Sequence, residues 1–234
     1  MNFTYRFVNL VIKYFFRLLC RVDDTQLSKV PGEGPLIIAA NHINFLEAPV
    51  IFTHLLPRPL TGLAKAEHWN NLAGRFLFTL WNSIPIRRGE ADLDAFKKAQ
   101  DALTKKKILA IAPEGTRSHH GQLQQGHPGI VLLALRSHAP IMPLAHYGGE
   151  KFVDNLLHFR RTLFTINVGN PFYLTQNGEA LSRDIRQKMT DEVMYQISAL
   201  LPPAYRGVYS DLSKATTDYL IFEKSEHNNL NLAT

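Results

Sequence analysis

An imidazole beside a carboxylate can take a proton from an alcohol, and this sequence offers one such pair in Asn41-His42-Ile43-Asn44-Phe45-Leu46-Glu47. His42 and Glu47 are five residues apart. If the chain turns into a helix near Leu46, Glu47 meets one ring nitrogen, fixes the tautomer and leaves the other nitrogen as a general base. Taken alone, a His near a Glu is more often structural or solvated. A second segment, Ala112-Pro113-Glu114-Gly115-Thr116-Arg117-Ser118, puts three candidates in a tight loop. Gly115 lets backbone approach a ligand closely, and Arg117 offers a planar fork suited to phosphate. A third, Asn82 to Gly89, carries the adjacent Arg87 and Arg88, which by themselves read equally well as a solvated rim. A fourth, Ala139 to Ala145, reads as a strand entered through prolines.

Other chemistries find less support. There is no Gly-x-Ser-x-Gly elbow, no His-Glu-x-x-His and no cysteine pair, and the histidines are scattered, so a serine acyl-enzyme and a metal centre are both disfavoured. The single cysteine, Cys20, falls in an apolar N-terminal stretch read as helical and is a poor nucleophile candidate. No bound cofactor or metal is expected.

The elements that must position these residues follow from hydrophobic period. Leu36–Ala40 is a short, wholly apolar run bounded by turn residues, the pattern of a buried strand, and Asn41-His42 lies at its C-terminal end. Further strands are expected at Leu60–Ala66, Ile84–Ile86, Ile108–Ala112, Ile141–Ala145 and Leu163–Val168. Helical spacing covers Leu46–Leu56, Asn71–Leu80, Asp92–Lys105, Pro128–Ser137 and Glu179–Leu201. Strands alternating with helices predict an α/β fold with a mostly parallel central sheet covered on both faces. Ligands of such sheets bind beyond the carboxyl ends of strands, where Asn41-His42, Lys65, Arg87-Arg88 and Pro113-Glu114 fall.

The chain has 234 residues, 45% hydrophobic and 20% charged, which is the composition of an ordered globular protein. One cysteine rules out an intrachain disulfide and fits a reducing, cytoplasm-facing location. The formal net charge of +6 calls for acidic partners: nucleic acid, anionic lipid or phosphorylated small molecules.

Residues 1–22 are rich in Phe, Leu, Val and Ile but carry Arg6, Lys13 and Arg17. At roughly 100° per residue these three cations fall within about 40° of one another on a helical wheel. The uncharged runs are shorter than a bilayer span requires, and no signal-peptide cleavage site follows. An amphipathic helix lying in the headgroup layer, rings in the acyl region and cations toward anionic lipid, accounts for the pattern. A helix packed on the protein's own core is the other reading. Residues 23–212 are expected to form the catalytic domain and 213–234 a polar, mobile tail.

Taken in order, the four segments resemble the glycerophospholipid acyltransferase family, of the bacterial 1-acylglycerol-3-phosphate acyltransferase type, across roughly residues 25–210. The family's Asn-His-x-x-x-x-Asp block aligns on Asn41, His42 and Glu47. Its Gly-x-Ile-Pro-Val-x-Arg block aligns Pro85 and Arg88, its Phe-Pro-Glu-Gly-Thr-Arg-Ser block falls on Ala112 to Ser118, and its fourth on Pro140 to Pro143. The resemblance implies that His42 with its carboxylate is the general base. It also implies that Arg88, Glu114, Gly115 and Arg117 form the acceptor-phosphate site, with Lys65 matching a lysine placed beside that phosphate. The sequence departs from the pattern at Glu47 for Asp, Asn82 for Gly, Ala112 for an aromatic and His127 for Lys.

The expected reaction is then acyl transfer from a thioester of coenzyme A or acyl carrier protein to the free hydroxyl of 1-acylglycerol 3-phosphate, at a membrane surface on the cytoplasmic face. Other acceptors (glycerol 3-phosphate, or a lysophospholipid with a larger headgroup) and a catalytically silent membrane-binding module are the alternatives. A nucleic-acid partner is not expected, because it explains the charge but not the ordered blocks.

Overall fold

The buried run Leu36–Ala40 sets the architecture, because its alternate side chains enter two different cores. In the structure, a computed structural model describing residues 3–87, 92–118 and 120–232, Ile37 and Ala39 join one apolar cluster while Leu36, Ile38 and Ala40 join another. A strand with both faces buried needs helices on both sides.

The first half of the chain runs α1 (Phe3–Leu19), β1 (Cys20–Asp23), β2 (Leu36–Ala40), α2 (Glu47–His54), β3 (Leu60–Lys65), α3 (Leu72–Leu80) and β4 (Ile84–Ile86). It continues with α4 (Leu93–Thr104), β5 (Ile108–Ile111), α5 (Gly129–Ser137), β6 (Ile141–Tyr147), α6 (Phe152–Leu157) and β7 (Thr162–Val168). The last elements are β8 (Phe172–Leu174), α7 (Arg183–Ala199) and β9 (Leu220–Phe222). Helix starts follow side-chain caps: Asn71 accepts from Gly74 N at 2.7 Å, Asp92 from Ala95 N at 2.9 Å and Ser182 from Ile185 N at 3.2 Å.

Among the described residues the strands form one nine-stranded sheet in the order β1-β7-β6-β2-β5-β3-β4, with β8 pairing β6 and β9 pairing β8. The centre is parallel, as expected: β2 lies between β5 and β6, and β3 between β5 and β4. β7 runs antiparallel to β6, and β8 to both β6 and β9. One face is covered by α4, α5 and α7 through Ala99, Ile130, Met189, Val193 and Ile197; the other by α1 and α2 through Phe16, Val50 and Ile51. The α/β, mostly parallel expectation therefore holds.

Three local expectations change. Cys20 does not belong to the helix but opens β1, where it is buried beside the parallel register to Thr162. The last long helix starts at Arg183, not Glu179, because Ser182 caps it, and it stops before Pro202-Pro203. Residues 213–232 fold onto the domain: β9 pairs β8, and the buried Asn229 accepts from Asn170 N at 2.6 Å while donating to Gln196 Oε1 at 2.9 Å. Amide side chains fasten this segment, so its low hydropathy gave no sign of it.

Helix α1 (Phe3–Leu19) packs one face on the domain and leaves the other exposed. Tyr5, Asn9 and Phe16 are buried, and Asn9 Oδ1 accepts from Trp81 Nε1 at 2.9 Å, so one face packs on the domain. Phe3, Phe7, Leu10, Tyr14 and Leu18 are exposed on the opposite face. Arg6, Lys13 and Arg17 run between the two faces at about 100° per residue. Among the described residues, no helix is long and apolar enough to cross a membrane.

Candidate active site

His42 lies two residues past the end of β2, where the chain must leave a buried strand and enter α2. The loop is held by Glu47, the first residue of α2, whose side chain turns back on it. Glu47 Oε1 accepts from Ile43 N at 2.6 Å and also from Asn44 N, while Oε2 accepts from His42 Nδ1 at 2.6 Å. Asn44 Oδ1 accepts from Leu46 N at 2.8 Å, closing the turn. A carboxylate can only accept, so Nδ1 carries the proton and Nε2 keeps its lone pair. That is the tautomer a general base needs. His42 retains 22% of its side-chain exposure and Glu47 only 6%, so the base is reachable and its partner sheltered.

Burial opposes the charge on Glu47, yet its carboxyl is held below the ordinary carboxylate range. The buried His146 is a close neighbour, with Nε2 3.9 Å from Oε1. Burial lowers the pKa of that ring as well, so at neutral pH it is uncharged. The hydrogen bonds from His42, Ile43 and Asn44 therefore do most of the stabilising.

A second carboxylate fixes the loop from the other side. Glu114 is buried; its Oε1 accepts from His42 N at 2.7 Å and its Oε2 from Gln124 N at 2.9 Å. Ser118 N returns a bond to His42 O at 2.7 Å. Burial pushes the Glu114 carboxyl up to about 7, against the pull of these two N–H groups. Gly115 has φ +66, a backbone region that strains any side chain, and a Cβ there would stand 3.0 Å from Cδ2 of the exposed His127 ring, which would have to shift.

The sequence candidates thus separate. His42 and Glu47 form a bonded pair, and Glu114 joins them through the His42 backbone, with one oxygen accepting from His42 N and the other from Gln124 N. Lys65 ends β3 at the same edge of the sheet, 41% exposed and 3.1 Å from Glu67. Arg117 is exposed beside the Glu114 loop. Arg88 lies outside the described residues. His146, Asn44 and Gln124 were not foreseen. His146 matters most: Asn41 pairs with its main chain, Nδ2 to O and Oδ1 from N, both at 2.9 Å, and its Nε2 donates to Asn41 O at 2.6 Å. A polar residue directly after the apolar run at 141–145 was the available signal.

Beside Glu114 opens a cavity of about 650 Å³ between α4, α5 and the ends of β4 and β5. Glu114, Gly115 and Arg87 stand at its polar side, and Phe96, Ala99, Ile130 and Leu133 make the rest apolar. Its connection to His42 runs through Glu114. Among the described residues, no three His, Cys, Asp or Glu gather as metal ligands. Cys20 is buried, and burial pushes its thiol up to about 11, far from a reactive thiolate.

Residues 21–147 match the family model described as Acyltransferase. A 1-acyl-sn-glycerol-3-phosphate acyltransferase of Limnanthes douglasii is 38% identical over 112 residues, which cover 46% of this chain and 39% of that one. The human 1-acyl-sn-glycerol-3-phosphate acyltransferase alpha is 29% identical over 153 residues, 63% of this chain and 52% of the relative. The chain thus spans about half the length, or less, of the curated relatives it matches. Among solved structures, the 1-acyl-sn-glycerophosphate (LPA) acyltransferase PlsC of Thermotoga maritima aligns with a TM-score of 0.55 at 19% identity, covering 81% of this chain and 78% of that chain, a likeness of fold.

Proposed function

This chain belongs to the acyltransferase family, whose model matches more than half of it, and on that premise we propose that it acylates the free hydroxyl of 1-acylglycerol 3-phosphate to give phosphatidic acid. The observation that carries the reading is the His42 Nδ1–Glu47 Oε2 bond of 2.6 Å, which leaves Nε2 as the base. The acceptor hydroxyl gives its proton to Nε2 as its oxygen attacks the thioester carbonyl. The C–S bond then breaks, an ester C–O bond remains, and the imidazolium returns the proton to the departing thiolate. Glu47 stabilises the imidazolium between those steps. Acid–base help of this kind contributes about 10²–10⁴-fold. No acyl-enzyme is needed, because the thioester is already activated.

Arg117, Lys65 and Arg88 are the cations assigned to the acceptor phosphate; fixing that group orients the hydroxyl toward Nε2. Glu114 positions His42 through its backbone. The cavity of about 650 Å³ is lined mainly by apolar side chains and suits a fatty acyl chain, within the roughly 300–1,000 Å³ of ligand pockets. The donor is an acyl thioester of coenzyme A or acyl carrier protein. We place the enzyme on the surface of an anionic membrane, at its cytoplasmic face, held by the exposed apolar side of α1 and the cations Arg6, Lys13 and Arg17.

The test is a panel of acceptors: 1-acylglycerol 3-phosphate, glycerol 3-phosphate and lysophospholipids with larger headgroups, each with both donors, followed by mass spectrometry of the products. Phosphatidic acid as the main product supports the reading. Preferential acylation of a larger headgroup reassigns the acceptor, and no acyl transfer to any of them leaves a membrane-binding module.

A further inference from the structure

The turn between α6 and β7 carries the most exposed large apolar side chain among the described residues. Leu157 and Phe159 are 73% and 101% exposed, and Leu163 beyond them is also exposed. Phe159 has φ 53, a backbone region that disfavours a bulky side chain. The chain therefore holds an aromatic ring fully in water on a strained backbone, a combination that nothing in the folded domain repays. Arg160 and Arg161 follow directly, and Arg21 is brought alongside by the parallel pairing of β1 with β7, which sets Arg21 opposite Leu163. Arg161 is committed to the fold, donating to Cys20 O at 2.8 Å. Among the described residues, Arg21 and Arg160 have no carboxylate within ion-pair distance.

Topology puts this turn beside the reaction. β6 ends at Tyr147 on the same edge of the sheet as Asn41-His42, because β2 and β6 are parallel. β7 runs antiparallel to β6, so it starts on that edge. Phe45 of the His42 loop meets Phe152 of α6 edge to face at 5.8 Å, linking the two segments. The exposed Leu18 at the end of α1 joins the same surface, where β1 begins.

We propose that the α6–β7 turn is a second bilayer contact. Leu157 and Phe159 enter the acyl region and Arg21 and Arg160 engage anionic headgroups, so that the His42 edge of the sheet faces the membrane. The proposal rests on the membrane location of the proposed function and adds the orientation that α1 alone does not set. Unpaired arginines around an apolar tip match an anionic lipid surface. A two-fold contact with a second copy would bring Arg21 and Arg160 against the same cations of its partner. A protein partner would need carboxylates placed for the arginine forks, whereas a bilayer reads only charge.

The experiment is co-sedimentation of the full chain with vesicles of phosphatidylcholine and phosphatidylglycerol in a three-to-one ratio, for wild type, Phe159→Gly, Arg160→Glu and Arg160→Lys. Phe159→Gly relieves the positive φ, so its Tm should stay level or rise while its vesicle affinity falls about tenfold, the transfer of one large apolar side chain. Arg160→Glu should weaken binding at least about fivefold, from one lost attraction near the surface. Arg160→Lys should bind like wild type. Unchanged binding by both Phe159→Gly and Arg160→Glu, with wild type bound, overturns the proposal and leaves α1 as the anchor. No binding by wild type removes the membrane reading itself. Failure of Arg160→Lys to bind, or an oligomer in wild type that Phe159→Gly dissolves, assigns the turn to a protein contact and also overturns it.

Discussion

Replacing Glu47 by Gln changes one atom and, on this geometry, the tautomer of His42. One Glu47 oxygen serves two backbone donors, Ile43 N and Asn44 N, and the other serves His42 Nδ1. Glutamine has a single oxygen. Placing its NH₂ against the two backbone N–H groups would leave both unpaired, at roughly 1–3 kcal/mol each. The amide oxygen therefore stays with the backbone and the NH₂ faces Nδ1. Nδ1 must then accept, which moves the ring proton to Nε2 and removes the base. Turnover should fall by about 10²–10⁴, the contribution of a general base. The lost charge-assisted bond removes only about 1.5–3 kcal/mol of stability, so the variant should remain folded. Raising the pH should not restore activity, because the defect is the site of the proton and not its affinity. Thiol release from an acyl thioester gives the rate, circular dichroism the fold, and ¹⁵N spectra of the imidazole the tautomer. Near wild-type turnover, or a proton still on Nδ1 in an inactive variant, refutes the reasoning.

Three further outcomes follow from the same site. Arg117→Ala should mainly raise KM for the phosphate-bearing acceptor, and Arg117→Lys should recover little, since a point charge does not replace a bidentate fork; steady-state kinetics with both variants checks it. Gly115→Ala should lower stability by about 1–3 kcal/mol from its φ of +66 and the contact with His127, read as a shift in denaturant midpoint. Glu114 is pushed up to about 7 from an ordinary 4.5, so the folded chain binds its proton more tightly than the unfolded one. The resulting stability is fully present below the ordinary value and is lost as pH rises toward 7, on the order of 3 kcal/mol across that interval. Glu114→Gln should flatten this stretch of the stability–pH curve, as followed by thermal unfolding in a pH series.

Where side-chain period decided the structure, the sequence was sufficient. Leu36–Ala40 and Ile84–Ile86 form strands over the expected residues, and the helices capped by Asn71 and Asp92 begin where those caps stand. The pairing of His42 with Glu47 was legible because five residues and a strand-to-helix turn leave few other arrangements. What escaped was set by contacts distant in sequence. β1, β8 and β9 lie outside the strand–helix alternation of the central sheet and exist through their partners. The role of Glu114 depends on His42 N and Gln124 N, which only the packed loops bring to it. His146 acts through Asn41, and no local pattern joins residues on two different strands. The N-terminal helix was readable as amphipathic, but its buried face depends on Trp81 meeting Asn9.

If His42 activates a lysolipid hydroxyl toward an acyl thioester, removing its imidazole must abolish transfer. Purified wild type and His42→Ala, matched for folding by circular dichroism, should be given 1-acylglycerol 3-phosphate and a long-chain acyl thioester, with phosphatidic acid measured by mass spectrometry. Wild type should give product, and His42→Ala none above the uncatalysed background. Equal product from the two proteins would contradict this role of His42.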